Sequence, residues 1–106
     1  MPQSTSQNNN SVRIIAGEFR SRKLEFPSLE GLRPTADRIR ETLFNWLQDS
    51  IAGETCLDLF AGSGALGFEA LSRGASQVDF IEQSSSAVNS IRDNIERLGA
   101  KHGNVY

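Results

Sequence analysis

At 106 residues, 38% of them hydrophobic, and a net charge of −2, the sequence has the make-up of an ordinary soluble protein, with room for one domain at most. No apolar run approaches the roughly 20 residues of a membrane span, and no basic stretch followed by an apolar one opens the chain, so neither a membrane helix nor a secretory signal is expected. The lone Cys56 has no partner for an internal disulfide; within a strand pattern it reads as a small buried hydrophobe in a protein of the reducing cytoplasm.

In chain order, residues 1–11 are rich in Ser, Gln and Asn without apolar periodicity and predict a disordered tail. Val12 and Ile14 then alternate with Arg13, Ala16-Gly17 offers a turn, and Leu24 and Phe26 alternate with charged neighbours up to Pro27. This predicts a β-hairpin within residues 12–32, one face carrying Arg20, Arg22 and Lys23, followed by a loop. A helix is predicted over residues 33–52. Thr35 is its N-cap, and Asp37 suits the positive end of its dipole. Ile39, Leu43, Trp46 and Leu47 form its apolar stripe; Phe44 and Trp46 are chemically able to stack on bases, but their spacing favours core packing.

Residues 55–60 read as a strand, Ala65–Arg73 as a helix closed by Gly74, and Gln77–Glu82 as a second strand. Ser84–Ser86 caps a third helix with Val88, Ile91, Ile95 and Leu98 on one face and Gly99 at its end. Asn104-Val105-Tyr106 opens a further strand. The β-α-β-α-β order with short links implies right-handed crossovers and a parallel sheet, an α/β Rossmann-like fold. Its uncovered surface and free strand edge predict poor solubility or self-association. His102 reads as an exposed loop residue.

Charge is unevenly shared along this order. Residues 13–40 hold seven Lys/Arg against four acids, and residues 41–106 hold four against nine. A basic leading segment on an acidic body suits a phosphate-rich partner met by that segment; a solvated charged face is an equally weighted alternative.

The chemistry concentrates between the first two Rossmann strands. Gly62, Gly64 and Gly67 form G-x-G-x-x-G where a strand turns into a helix, which demands a tight backbone turn lying close to a ligand. Glu82 follows Gly62 by 20 residues, the place from which a carboxylate accepts hydrogen bonds from both hydroxyls of an adenosine ribose. Asp58 stands four positions before Gly62, with Phe60 between. A carboxylate there repels a pyrophosphate and attracts a cationic ligand with a free amino group, favouring S-adenosylmethionine over a dinucleotide. Holding the loop through backbone N–H groups is a second role compatible with either ligand.

Asp58-Leu59-Phe60-Ala61-Gly62-Ser63-Gly64-Ala65-Leu66-Gly67 resembles the first motif of class I methyltransferases that act on nucleic acids. Arg13-Ile14-Ile15-Ala16-Gly17, Arg22-Lys23-Leu24 and Arg33-Pro34-Thr35, continuing from Asp37-Arg38-Ile39-Arg40 through Leu47, resemble the RsmD family of 16S ribosomal-RNA guanine-N2 methyltransferases. The resemblance covers residues 12–106 and implies the first two to three strands of a class I methyltransferase sheet, preceded by a hairpin and helix. It implies S-adenosylmethionine as cofactor and no metal. Asp58, Phe60, Gly62, Ser63 and Gly64 fall on the methionine side, Glu82 on the ribose, Gln83 beside the adenine, and Thr35 near the methionyl end. Arg13, Arg20, Arg22 and Lys23 fall on the RNA. The implied partner is 16S ribosomal RNA or an assembling small-subunit particle, and the full-length enzyme would be monomeric and cytoplasmic.

The family's Asp/Asn-Pro-Pro-aromatic motif, which orients the target amine and stacks on the flipped base, has no match here. The sequence holds only Pro2, Pro27 and Pro34. The 106-residue chain alone is therefore expected to be inactive. Two other readings stay open at this point: part of a dinucleotide-dependent oxidoreductase, and a non-catalytic RNA-binding module.

Overall fold

Val78 and Phe80, alternating with Gln77, Asp79 and Ile81, are fully buried, and this period of two sets the face on which the molecule builds its core. A computed structural model describes residues 9–27, 37–59 and 61–106. Strands β1 (Asn9–Arg13) and β2 (Lys23–Pro27) form an antiparallel ribbon. Helix α1 (Asp37–Ile51) precedes a parallel sheet of β3 (Thr55–Leu59), β4 (Gln77–Ile81) and β5 (Gly103–Val105), linked by α2 (Ala65–Ser72) and α3 (Ser85–Leu98). The sheet order is β3-β4-β5, as the β-α-β-α-β pattern predicts. Among the described residues no helix is long and apolar enough to cross a membrane.

Helix α2 lies against β3 and β4 so closely that a Cβ at Gly67 would meet the Phe80 ring at 2.2 Å. Phe68 packs on the same ring, centroids 4.9 Å apart. Each fully buried aromatic of this kind contributes about 1.5–3 kcal/mol. Helix α3 is capped by the Ser84 hydroxyl, which accepts from the Ala87 amide, and ends in the left-handed Gly99. Among the described residues only one face of the sheet is covered. Leu57 and Leu59, pointing to the other face, are 61% and 58% exposed.

The ribbon differs from the predicted hairpin in two ways. It begins at Asn9, inside the stretch read as a tail, because ladder pairing of Asn9–Ser11 with Glu25–Pro27 is a backbone interaction that side-chain polarity does not veto. Its connection, residues 14–22, also folds back on itself, with Gly17 and Ser21 both at positive φ. Strand β2 docks on α3 mainly through Asn94. That side chain accepts from the Glu25 amide (3.5 Å) and donates to the Glu25 carbonyl (2.9 Å), while Ser90 and Arg97 donate to the carbonyls of Glu25 and Lys23.

The predicted stripe of α1 is corrected. Ile39 and Trp46 are 61% and 79% exposed, and the buried face is Arg40, Phe44 and Ile51, flanked by Leu43 and Leu47. Arg40 sets this rotation. Its guanidinium is buried against Glu69 of α2 (3.5 Å) and donates to the Arg13 carbonyl (2.7 Å). A hydrophobicity pattern counts an arginine as surface and so turns the helix by about one residue. The predicted N-cap Thr35 lies outside the described residues.

Candidate cofactor and RNA site

The C-terminal ends of β3 and β4 carry the glycine turn and Glu82, at the edge where parallel sheets present ligands. Two residues past the end of β3, the Ala61 amide donates to the Ile81 carbonyl (2.9 Å). The chain then turns tightly: the Gly64 amide donates back to the Ala61 carbonyl (2.8 Å), and Gly64, at φ 83°, caps α2. A side chain at Gly64 would be strained by that φ and would crowd Phe68 at 2.9 Å. Ser63 is buried, its hydroxyl accepting from the Ala65 amide (3.3 Å).

Two carboxylates hold this turn. Glu82 accepts from the Gly62 amide through Oε1 (2.8 Å) and from the Ser84 amide through Oε2 (2.9 Å). Asp58 accepts from the Gly67 amide through Oδ2 (3.1 Å), and its Oδ1 makes no hydrogen bond among the described residues. The loop-holding role of Asp58 is thus realised with one oxygen left over. Asp58 also borders an apolar cavity of about 190 Å³ with Phe44, Leu47 and Leu66. Burial there pushes its pKa up to about 6; the Gly67 amide opposes the shift and the Glu82 charge adds to it. Gln83, the next residue after Glu82, is exposed at the same rim. Phe60 and Thr35 lie outside the described residues. Two larger hollows lie elsewhere, about 470 Å³ beside Glu18 and His102 and about 450 Å³ between β2 and α3, but neither touches the glycine turn.

The basic residues gather around the ribbon's connection. Arg13 and Lys23 face each other in register, and Arg20 and Arg22 sit on the turn between them, all four exposed. Arg13 is braced by donation to the Ser21 carbonyl (2.9 Å). Sequence reasoning missed Arg40, Glu69, Ser72 and Arg73, which join α1, α2 and this connection. The available signal was an isolated acid in the otherwise uncharged octet Ala65–Ser72.

A half-buried acid within one parallel strand, a glycine turn leading from that strand into a helix, and a second acid just past the neighbouring strand gripping that turn define a class I methyltransferase fold. The family described as Conserved hypothetical protein 95 matches residues 12–105, and the chain belongs to it, the RsmD family of the Arg-Pro-Thr resemblance. Ribosomal RNA small subunit methyltransferase D of Haemophilus influenzae is 56% identical over 87 residues, 82% of this chain and 45% of that protein. The protein of the same name from Escherichia coli K12 is 51% identical over 94 residues, 89% of this chain and 48% of that protein. Among solved structures, that of yhhF from Escherichia coli matches with a TM-score of 0.83 at 46% identity, covering 91% of this chain and 51% of that one. The chain spans about half the length of the curated relatives it matches.

Proposed function

We propose that this chain forms the cofactor-binding part of an S-adenosylmethionine-dependent methyltransferase of small-subunit ribosomal RNA, acting on the N2 amine of a guanine in 16S RNA. The observation that carries the reading is the pair of carboxylates on the glycine turn, Glu82 on the Gly62 amide and Asp58 on the Gly67 amide. The donor and acceptor set fits the cofactor. Asp58 Oδ1 is available to an ammonium group, and each Glu82 oxygen, engaged by one amide, retains acceptor capacity for a ribose hydroxyl. The missing side chain at Gly64 leaves backbone against the ligand.

Bound S-adenosylmethionine supplies an electrophilic methyl group. By the family resemblance, Asp58 would draw the α-ammonium, Gly62, Ser63, Gly64 and Phe60 would serve the methionine side with Thr35 toward its end, Glu82 would hold the ribose, and Gln83 would serve the adenine. Arg13, Arg20, Arg22 and Lys23 would bind the RNA backbone, and a flipped guanine would present its N2 amine toward that methyl group. No Pro-Pro pair occurs in the sequence to orient that amine, so the 106-residue chain binds cofactor without turnover. The full-length enzyme works as a cytoplasmic monomer on 16S RNA or the assembling particle.

Titration calorimetry of the chain against S-adenosylmethionine and NAD tests the reading. Binding of the first alone, lost in Glu82→Ala, is the expected result. Preference for NAD, or no binding of either, overturns it, and methylation of ribosomal RNA by the chain alone overturns the expected inactivity.

A further inference from the structure

Glu69 is completely buried, and its carboxylate is divided between the ribbon and the two helices beneath it. Oε1 accepts from the Ile15 amide (3.0 Å) and lies 3.5 Å from Arg40 Nε of α1. Oε2 accepts from the Ala16 amide (3.1 Å) and from Arg73 Nε (2.8 Å), and Arg73 in turn lies over the Phe44 ring of α1. Three residues on, the Ser72 hydroxyl accepts from the Phe19 amide (2.9 Å) and donates to the Ala16 carbonyl (2.5 Å), while the Ser72 carbonyl accepts from the Glu18 amide (2.7 Å). Gly17 passes so close that a Cβ there would lie 2.0 Å from that carbonyl oxygen. The β1–β2 connection is therefore fastened to α2, the helix that leaves the glycine turn.

A buried ion pair is a poor source of net stability, because desolvation offsets most of the attraction and a well-packed apolar residue serves as well. What this network provides instead is a defined geometry: two adjacent amides on one carboxylate fix the direction of the chain. The four exposed cations of the ribbon all border the segment so fixed.

We propose that Glu69 is a positioning residue that holds the basic connection in one orientation relative to the glycine turn, so that an RNA backbone gripped by Arg13, Arg20, Arg22 and Lys23 meets the cofactor cleft in a set register. The inference rests on the RNA reading of the ribbon given above. Preorganisation of this kind contributes affinity without adding contacts.

The test compares the chain with Glu69→Gln and Glu69→Asp, using a labelled in vitro transcript of small-subunit ribosomal RNA across a salt series, and S-adenosylmethionine by calorimetry. Glu69→Gln removes the charge and puts a donor against one of the amides. Glu69→Asp keeps the charge between Arg40 and Arg73 but draws back from both amides. In both, RNA affinity is expected to fall about tenfold. The slope of affinity against salt should stay unchanged, because no phosphate contact is lost, and cofactor affinity should stay unchanged too. In the unsubstituted chain the Ile15 and Ala16 amides should exchange hydrogen slowly. Fast exchange at those amides, unaltered RNA affinity in the variants, or RNA and cofactor affinity falling together with the melting temperature would overturn the proposal. Absence of RNA binding by the unsubstituted chain, with slow exchange and cofactor binding intact, would instead sink the RNA reading on which it stands.

Discussion

The Glu82 carboxylate and the Gly62 amide, 2.8 Å apart, tie the end of β4 to the turn that follows β3, and the same side chain holds the Ser84 amide at the start of α3. One residue thereby sets the spacing of the two loops that frame the cleft. Hydrogen bonds to a charged acceptor contribute about 1.5–3 kcal/mol each, so Glu82→Ala, which loses both, is expected to weaken S-adenosylmethionine at least about tenfold and to lower stability by about 3 kcal/mol. Glu82→Gln, which keeps one acceptor, should fall between. Calorimetry and thermal unfolding check both, and an alanine variant with undiminished cofactor affinity would remove Glu82 from the site.

Asp58 should show opposite pH trends in stability and in binding. Its folded pKa, raised by burial to about 6 from 3.8, means that the folded chain retains a proton which the unfolded chain has already released. Its contribution to stability is therefore complete below the unfolded value and is lost as pH rises through about 6. Asp58→Asn, which still offers an acceptor to the Gly67 amide, is expected to melt above the parent at about pH 7.5, the advantage shrinking toward about pH 4. Binding of a cationic ligand needs the ionised form, so parental affinity for S-adenosylmethionine should drop as pH falls below about 6, and the asparagine variant should bind about tenfold to a hundredfold more weakly at neutral pH. Melting curves and calorimetry at several pH values decide this; a variant less stable than its parent at neutral pH would contradict the burial argument.

Gly67 is constrained by contact rather than by backbone angle. A methyl group there would sit 2.2 Å from one carbon of the Phe80 ring and 2.7 Å from the next. Overpacking of this kind costs about 1–3 kcal/mol, so Gly67→Ala should lose that much in denaturant melts. Adding Phe80→Leu should recover part of the loss, and a double-mutant cycle with no coupling between the two would refute the contact.

Among the described residues Leu57 and Leu59 leave an apolar strip on an uncovered face of the sheet, and β3 has no neighbour on its outer side. Such edges pair with other copies. The chain is expected to self-associate, and Leu57→Lys with Leu59→Lys to shift it toward monomer in sedimentation velocity. A parent chain that already sediments as a monomer would show that the strip is tolerated.

The Rossmann segment was legible in the sequence because its determinants are local. Strand alternation places Val78 and Phe80, the turn needs Gly64, and the spacing from Gly62 locates Glu82. Asp58 was half legible, since the sequence proposes both a ligand and a loop-holding role, and the structure adds the Gly67 amide as the partner of one of its oxygens. What stayed hidden depends on distant partners. Trp46 fits an apolar stripe until the Arg40–Glu69 pair turns the helix away from it. Asn9–Ser11 look like a tail because the ladder that captures them is made of backbone groups opposite Glu25–Pro27. Glu69 had no readable role, because its partners are main-chain amides more than fifty residues away.

Asn94 gives β2 a substitute for a neighbouring strand, matching the amide and carbonyl of Glu25 with one side-chain amide. The ribbon is thus spliced to the crossover helices by side chains rather than by sheet continuation, and it is not a portable appendage. Grafted alone onto another nucleotide-binding sheet it would arrive without its fasteners, whereas transplanting it together with the α2 and α3 surfaces would carry its orientation along.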